Sequence, residues 1–560
     1  MQLKYKRWIF DFKMKIIRKE FFPPGIVFML FLIFSQSVYP DIITEREDTL
    51  DTREWIQLDP EDDGIAGVSL NKAYQLLEGR PSKTILVAII DSGFDLDQED
   101  LKGKYWVNED EIPGNGIDDD RNGYVDDVNG WNFIGGPDKN VVYDTYELTR
   151  EYCRLNPMYG EQDHGSGEEY EYWLKIREEY ESKKTRAEKT LSSYNEIIQN
   201  IPRYYALIQN YLDTDILTSE AVTRIDSEDS IILQAQSCIC KLLNHCGDSA
   251  GSDMMVKALL STQEHFTYEV QYGYNPEYDP RPFVKDNYQD KRERIYGNNQ
   301  VCDYTGMMGD HGTHVAGIIA AERNNQIGVK GVADNVKIIP LRTVPNGDER
   351  DKDVANAIYY AVDNGASVIN MSFGKAYSPD RDVVEKAVRY AEKKGVLIVH
   401  AAGNEREDKD LTDNFPTRKY IRGRKEAWNL IEVAASSMNI DEKLAAKFTN
   451  YGKSSVDLFA PGVSVYSTLP GNNYDAYNGT SMAAPVVSGV AALLFAYFPD
   501  LSAREVKKII FESVTKIDRE VYRPGSDELV GFQTLSATGG IINAYEAVKI
   551  AQNRIKLETR

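Results

Sequence analysis

Histidine is scarce in this chain. There are six in 560 residues, at positions 164, 245, 265, 311, 314 and 400, so a histidine base has few candidates. Cysteine is scarcer, with five residues at 153, 238, 240, 246 and 302, all in one region. The rest of the chain therefore has no disulfide framework, and the pairing within that region is not readable from sequence. Cys238, Cys240, His245 and Cys246 fit no familiar zinc spacing, which favours buried or paired thiols. Cys153 and Cys302 flank a long polar tract, where a bond between them would close its neck. Basic residues are outnumbered, 65 to 88, and a formal charge of −23 argues against nucleic acid as a partner. What is present, 42% apolar and 27% charged residues, describes an ordinary soluble globular protein. The length suits two or three domains, or one large core carrying an insertion.

The N-terminus departs from that acidity. Its first 37 residues carry seven Lys or Arg against Asp11 and Glu20, and positions 25–34 are an uninterrupted apolar run. Ser35-Gln36-Ser37 then offers small residues where a signal peptidase reads. The pattern predicts an export signal over 1–37 cut after Ser37, with an uncleaved anchor as the competing reading. The run is shorter than the roughly 20 apolar residues of a bilayer span, and Pro23 and Pro24 break it upstream, which favours cleavage. The expected product is exported (periplasmic, cell-surface or extracellular), with no membrane span in the mature chain.

Residues 38–84 read as an acidic N-terminal arm with a short helix near 69–77. Residues 85–90 are a continuous apolar run of strand length, as a strand buried on both faces requires. From about 138 to 300 the chain reads as a mostly helical insertion with a small core, with helical spacing at 170–191 and 197–212 and an interruption at Pro202. After 300, strands and helices alternate. Strands are expected at 336–344, 367–373, 396–402, 430–435 and 456–460. Helices are expected at 353–362, 383–394 and 482–498, and another starts at Ser502 with Glu505 completing a capping box. This alternation predicts an α/β domain over 85–137 and 301–550, a doubly wound parallel sheet with helices on both faces. Sites in such sheets lie at the carboxyl ends of the strands, where Asp91 and Asn404 stand.

The chemistry gathers around Gly479-Thr480-Ser481-Met482-Ala483-Ala484-Pro485. A serine there sits at the first turn of a buried helix. The bland reading is an N-cap on a core helix. As a nucleophile it needs a base and an orienting acid elsewhere. His311 is the one histidine set among glycines at the start of an apolar helix, in His311-Gly312-Thr313-His314-Val315-Ala316-Gly317. A metal pair with His314 lacks an acidic third ligand at a familiar spacing. Asp91 ends the strand at 85–90, a place where an aspartate often only begins a turn.

The order Asp91, His311, Ser481 and four stretches together carry a specific likeness. With Ala401-Ala402-Gly403-Asn404 added to Ala88-Ile89-Ile90-Asp91-Ser92-Gly93, the His311 stretch and the Ser481 stretch, the chain resembles the subtilisin-like serine proteases. The resemblance covers roughly 85–136 and 303–550. It implies an exported serine endopeptidase acting on protein or peptide substrates. Ser481 would be the nucleophile, His311 the base, Asp91 its orienting acid and Asn404 an oxyanion donor. It implies too that Ser372, Phe373 and Gly374 pair with extended substrate while Ala402 and Gly403 wall the adjoining pocket. The rival readings are a narrow processing protease and an inactive binding protein on the same scaffold. Two departures stand out. The stretch from Asp91 to His311 is far longer than the family core needs, and a lobe rooted there would overhang the cleft rim. Between Ser37 and Ile85 there is too little chain for the usual folded propeptide.

A second chemical stretch runs from Asp118 to Asn129. Asp118, Asp120, Asn122 and Asp126 fall at positions 1, 3, 5 and 9 of a calcium loop, Gly123 at the sharp turn and Tyr124 at the backbone-carbonyl position. Position 12 is Asn129 in place of a bidentate Glu, so the expected Ca2+ site is a weak and structural one. A solvated acidic loop is its alternative.

Overall fold

The computed structural model describes residues 52–160, 165–248, 250–302, 309–421 and 426–558. The export signal expected over 1–37 and the start of the arm lie outside them. The described residues form two compact units, one of 186–266 and one of the remainder.

In the larger unit the strands are β1 (Ile85–Asp91), β2 (Trp131–Asn132), β3 (Val336–Arg342), β4 (Val368–Met371), β5 (Leu397–Ala401), β6 (Leu430–Ser436) and β7 (Leu458–Pro461). β8 (Val465–Leu469) and β9 (Asn473–Tyr477) make a hairpin, β10 is Thr515–Lys516, β11 (Glu520–Tyr522) pairs β12 (Leu529–Gly531), and β13 is Gly540–Ile541. The main sheet has the order β10-β13-β7-β6-β5-β4-β1-β3-β2 and is parallel except for β10 against β13. β4 lies between β1 and β5. The carboxyl ends of these three strands therefore lie side by side, which is what assembles the site.

The helices are α1 (Leu70–Leu77), α2 (Glu147–Tyr159), α3 (Glu168–Leu212), α4 (Ser219–Thr223), α5 (Ser230–Cys246), α6 (Ser252–Tyr268), α7 (Gly309–Ala320), α8 (Asp351–Asp363), α9 (Arg381–Lys394), α10 (Thr480–Tyr497), α11 (Ala503–Glu512) and α12 (Ala544–Glu558). β1 shows why its sequence is apolar throughout. Ile85, Val87 and Ile89 enter a core with Leu70, Val315, Val486, Val506 and Ala547, which belong to α1, α7, α10, α11 and α12. Ala88 and Ile90 enter the opposite core, with Val354 of α8 and Val383 of α9. α10 is long and apolar enough to span a bilayer, but 89% of it is buried, as befits a central core helix. Ser502 caps α11 with the expected reciprocal bonds to Glu505.

Residues 52–84 thread into the same core. Trp55 is 1% exposed and its indole N–H donates to the Ser464 carbonyl at 3.2 Å.

The helical stretch differs from expectation at Pro202. α3 runs unbroken through it, because Tyr194, Ile201 and Ile208 keep one buried face on both sides of the proline. Residues 186–266 have a core of their own, in which these residues meet Leu217, Ile239, Leu242 and Met255. The flanking parts of the stretch pack inside the larger unit. Tyr180 is buried, stacks on Tyr152 at 4.1 Å and donates its hydroxyl to the Tyr274 carbonyl. The five cysteines are free thiols, so no bond joins Cys153 to Cys302.

Candidate active site

Asp91 closes β1 and His311 opens α7, and Nδ1 of His311 lies 2.7 Å from Oδ1 of Asp91 across 220 residues of chain. The approach needs Gly312. A Cβ there would fall 2.2 Å from the Gly93 carbonyl oxygen, so a side chain would push α7 off the turn after β1. The turn is held by Arg342 at the end of β3, which is 1% exposed and donates Nε to the Ser92 carbonyl at 2.6 Å. Oδ1 of Asp91 also accepts the Ser92 N–H at 2.8 Å. Desolvation disfavours the charged imidazolium of His311, but the charge and hydrogen bond of Asp91 outweigh it and hold the His311 pKa above the ordinary histidine value. The imidazole is still 37% exposed, so a substrate can reach it.

His314, one turn on, has no part in this. It is buried, stacked on Tyr477 at 4.5 Å, and bonded to the Asp475 carbonyl at 3.1 Å. Burial pushes its pKa down to about 3, so it is a neutral core histidine.

Ser481 lies in the first turn of α10. Pro485, four residues on, has no N–H to give the Ser481 carbonyl. Oγ of Ser372 supplies the missing donor at 2.8 Å. In return Oγ of Ser481 donates to the Ser372 carbonyl at 3.1 Å. Ser372 is itself fixed by Asn370, whose amide donates at 2.9 Å and accepts from Ser488 of α10 at 2.8 Å. No hydrogen bond joins His311 to Ser481 among the described residues; in this state the serine hydroxyl is turned to Ser372. Catalytic hydrogen bonds are often long or unmade before substrate arrives.

Asn404 follows β5. Its Oδ1 accepts the Thr480 N–H at 2.9 Å and the Thr480 hydroxyl at 3.1 Å. Thr480 in turn accepts the Gly403 N–H at 3.1 Å. With Oδ1 so occupied, the amide nitrogen is left to face the Ser481 turn; a Cβ on Gly479 would lie 3.7 Å from it.

Of the expected substrate-facing stretches, Ser372 is bonded to Ser481 and Gly403 to the neighbouring Thr480. The Phe373 carbonyl is turned inward, where Nε2 of His400 donates to it at 2.8 Å, whereas the Ser372 carbonyl accepts Ser481 Oγ. A side chain not expected from sequence, Asn414, lies between the two stretches. It donates to the Ala402 carbonyl at 3.1 Å. A Cβ on Gly374 would come within 2.5 Å of its Oδ1, and one on Gly403 within 3.0 Å of its Nδ2.

The acidic loop brings together a different set from the one expected. Glu111, Asp120 and Asp127 offer carboxylate oxygens within 4.8 Å of one another. Of the expected carboxylate ligands Asp118, Asp120 and Asp126, Asp120 alone belongs to that group. Asp118 instead accepts the Asn122 and Gly123 N–H groups at 3.0 and 2.8 Å, shaping the turn. Asp126 accepts from Asn115 and Gly116 at 3.1 and 2.9 Å. The Asn122 amide donates to Asp120 and Asp127 at 2.9 and 3.1 Å. The Tyr124 ring is buried in the aromatic core against Trp131 and Tyr360. Burial pushes Asp127 up to about 6, against the pull of bonds from Tyr360, Asn108 and Asn122. Three hard oxygen donors crowded together, with no basic side chain paired to them among the described residues, fit a cation such as Ca2+. Glu111 escapes a loop-spacing argument because it reaches the loop from seven residues before Asp118.

Compared with known proteins, residues 82–532 match the family model described as the subtilase family. A thermophilic serine proteinase of Bacillus sp. (strain AK1) is 44% identical over 194 residues, 34% of this chain and 44% of that protein. Thermitase of Thermoactinomyces vulgaris is 37% identical over 270 residues, 48% of this chain and 85% of that protein. A solved protease structure from Pseudoalteromonas arctica shows 31% identity over 43% of this chain and 70% of that one, at a TM-score of 0.35. The chain thus spans less than half of the first relative and most of the second.

Proposed function

The chain belongs to the subtilase family of serine proteases, and from that premise we propose that it is an exported endopeptidase whose triad is Asp91, His311 and Ser481. The observation that carries the reading is the 2.7 Å pair between His311 and Asp91, which commits Nδ1 and leaves Nε2 for the serine proton. In this mechanism Ser481 Oγ leaves the Ser372 carbonyl and attacks the scissile carbonyl. His311 takes the proton at Nε2 and returns it to the leaving amine. Asp91 holds the tautomer and steadies the imidazolium. The oxyanion receives the Asn404 amide, already oriented by Thr480, and the Ser481 backbone N–H. The freed Ser372 carbonyl then faces extended substrate, with Gly374 beside it and Gly403 across the cleft; Ala402, expected beside Gly403, is fully buried in the core, its carbonyl taken by Asn414 and Asn450.

Export rests on the basic and apolar pattern of residues 1–37. A structural Ca2+ site rests on Glu111, Asp120 and Asp127; the ion would tie the loop to the domain and take no part in bond cleavage. The deciding experiment is labelling by a small fluorophosphonate. Wild type should be labelled and Ser481→Ala should not. Equal labelling of both would discard Ser481 as nucleophile, and no labelling of either would favour an inactive binding protein.

A further inference from the structure

The core alone does not secure the chain just past the substrate-facing residues. Ser372 and Gly374 follow β4, and after them the polypeptide leaves the sheet. Lys375 is the first anchor. Its backbone N–H donates to the Phe415 carbonyl at 3.2 Å and its carbonyl accepts the Phe415 N–H at 2.8 Å. Its side chain is 2% exposed, and the ammonium has three acceptors for its three N–H groups. They are Glu147 Oε2 at 2.7 Å, Asp351 Oδ1 at 2.8 Å and the Glu349 carbonyl at 2.8 Å.

Asp351 and Glu349 belong to the core, but Glu147 begins α2, which lies between Asp91 and His311 in the chain. Glu147 is 4% exposed and doubly held by Arg150, at 3.1 and 2.8 Å. Its own N–H is received by Asp348 at 2.8 Å. Burial works against its charge, yet Arg150 and Lys375 hold the Glu147 carboxyl well below the usual range. A buried pair of this kind cannot loosen without stranding a charge away from water, so it fixes Lys375 relative to α2.

A second grip lies two residues on. The Tyr377 hydroxyl donates to Glu179 of α3, which Lys183 also pairs at 2.7 Å. The Tyr377 ring meets Tyr172 edge-on at 6.4 Å, and Lys175 stands 5.7 Å from its centre. Ser378 then donates to Asp351 at 2.9 Å. Glu147, Tyr172, Lys175 and Glu179 all come from the stretch between the catalytic acid and base.

We propose that α2 and the first part of α3 set the position of the substrate-binding edge, with Lys375 and Tyr377 as positioning residues that act through Ser372 and Gly374. The proposal rests on the proteolytic reading above and goes beyond it, giving part of the insertion a role in substrate register. A displacement of order 1 Å at such an edge weakens alignment by as much as about a hundredfold. A partial loosening should cost less.

The test uses the full chain with Glu147→Gln and Tyr377→Phe, both near-isosteric. Two readouts are compared: hydrolysis of a peptide extended four residues before the cleaved bond, and the rate of fluorophosphonate labelling, which does not use the edge. Each variant should raise KM for the extended peptide by about tenfold with kcat little changed, and label within about twofold of wild type. An unchanged KM in both variants overturns the proposal. So does a parallel fall of labelling and hydrolysis, since that marks general structural damage. If wild type fails to label, the proteolytic reading falls separately. Direct binding of the extended peptide then decides the edge proposal, with about tenfold weaker binding expected in both variants and equal binding overturning it.

Discussion

Asn404 has its two amide ends assigned to different tasks. Oδ1 is fixed by Thr480, which leaves Nδ2 beside Gly479 at the start of the Ser481 turn; in the proposed mechanism its contribution should appear only when an oxyanion forms. Asn404→Ala should lower kcat by about 10²–10³ with KM nearly constant, as steady-state kinetics on a peptide would show. His311 supplies a second test, through pH. In the proposed mechanism the base must be neutral, and Asp91 raises the His311 pKa, so activity should fall as pH drops through a value above the ordinary 6.5. In Asp91→Asn the charge that retains the proton is gone. The residual activity should be far lower, and its acid limb should move toward lower pH; a limb that stays in place would separate Asp91 from the base. Asn414 offers a test of specificity. Its side chain occupies the space between Gly374 and Gly403, so Asn414→Gly should shift cleavage toward larger side chains before the scissile bond, read from a peptide-library profile.

At the scale of elements, the acidic loop makes the clearest prediction. If Ca2+ binds the folded loop and not the unfolded chain, it should raise Tm with concentration, by about 2.7 kcal/mol of stability at a hundred times Kd. Asp120→Ala should erase that increment, because Asp120 belongs to both the spacing pattern and the three-carboxylate group. An equal calcium response in the variant would move the ion elsewhere. This loop also shows where sequence reading ran out. Spacing finds side chains that share a turn, so it found Asp118 and Asp120, but it cannot see which way a carboxylate faces. Glu111 and Asp127 required the folded chain. β1 and α10 were legible because burial on all sides demands unbroken apolar text, and α11 because its capping box is local. The end of a helix at Pro202 was a local inference that tertiary packing overrode. Asp91 was marked by its place at the end of an apolar strand and by its order before His311 and Ser481, and His311 by the glycines around it, of which Gly312 allows the close approach. Arg342 and Asn414, which hold or fill the site, carry no such local mark, since their partners are distant in sequence; Thr480 lay in a marked stretch, but its bond to Asn404 could not be read there.

At the scale of the whole molecule, the long stretch between Asp91 and His311 is not one removable piece. Its flanks share buried ions with the catalytic core. Lys375 pairs with Glu147, Arg281 meets Asp353 at 2.6 Å, and Lys352 meets Asp286 at 2.7 Å with both side chains fully buried. Tyr296 adds a hydroxyl bond to Asp353 at 2.6 Å. All of these partners lie outside 186–266, whose own apolar core is built from α3, α4, α5 and α6. Breaking a buried ion pair by removing one partner costs about 3–5 kcal/mol. Three such losses, about 9–15 kcal/mol together, are as large as most or all of the roughly 5–15 kcal/mol by which a domain is stable. Replacing 147–295 with a Gly/Ser linker should therefore abolish folding. Replacing 186–266 alone removes none of these partners. That shorter variant should melt cooperatively by circular dichroism, react with a fluorophosphonate and hydrolyse small peptides at a rate within about threefold of the full chain. A variant that lacks 147–295 and still folds and labels would show that the ion layer is dispensable. Loss of folding on removing 186–266 would show that the two units depend on one another for stability.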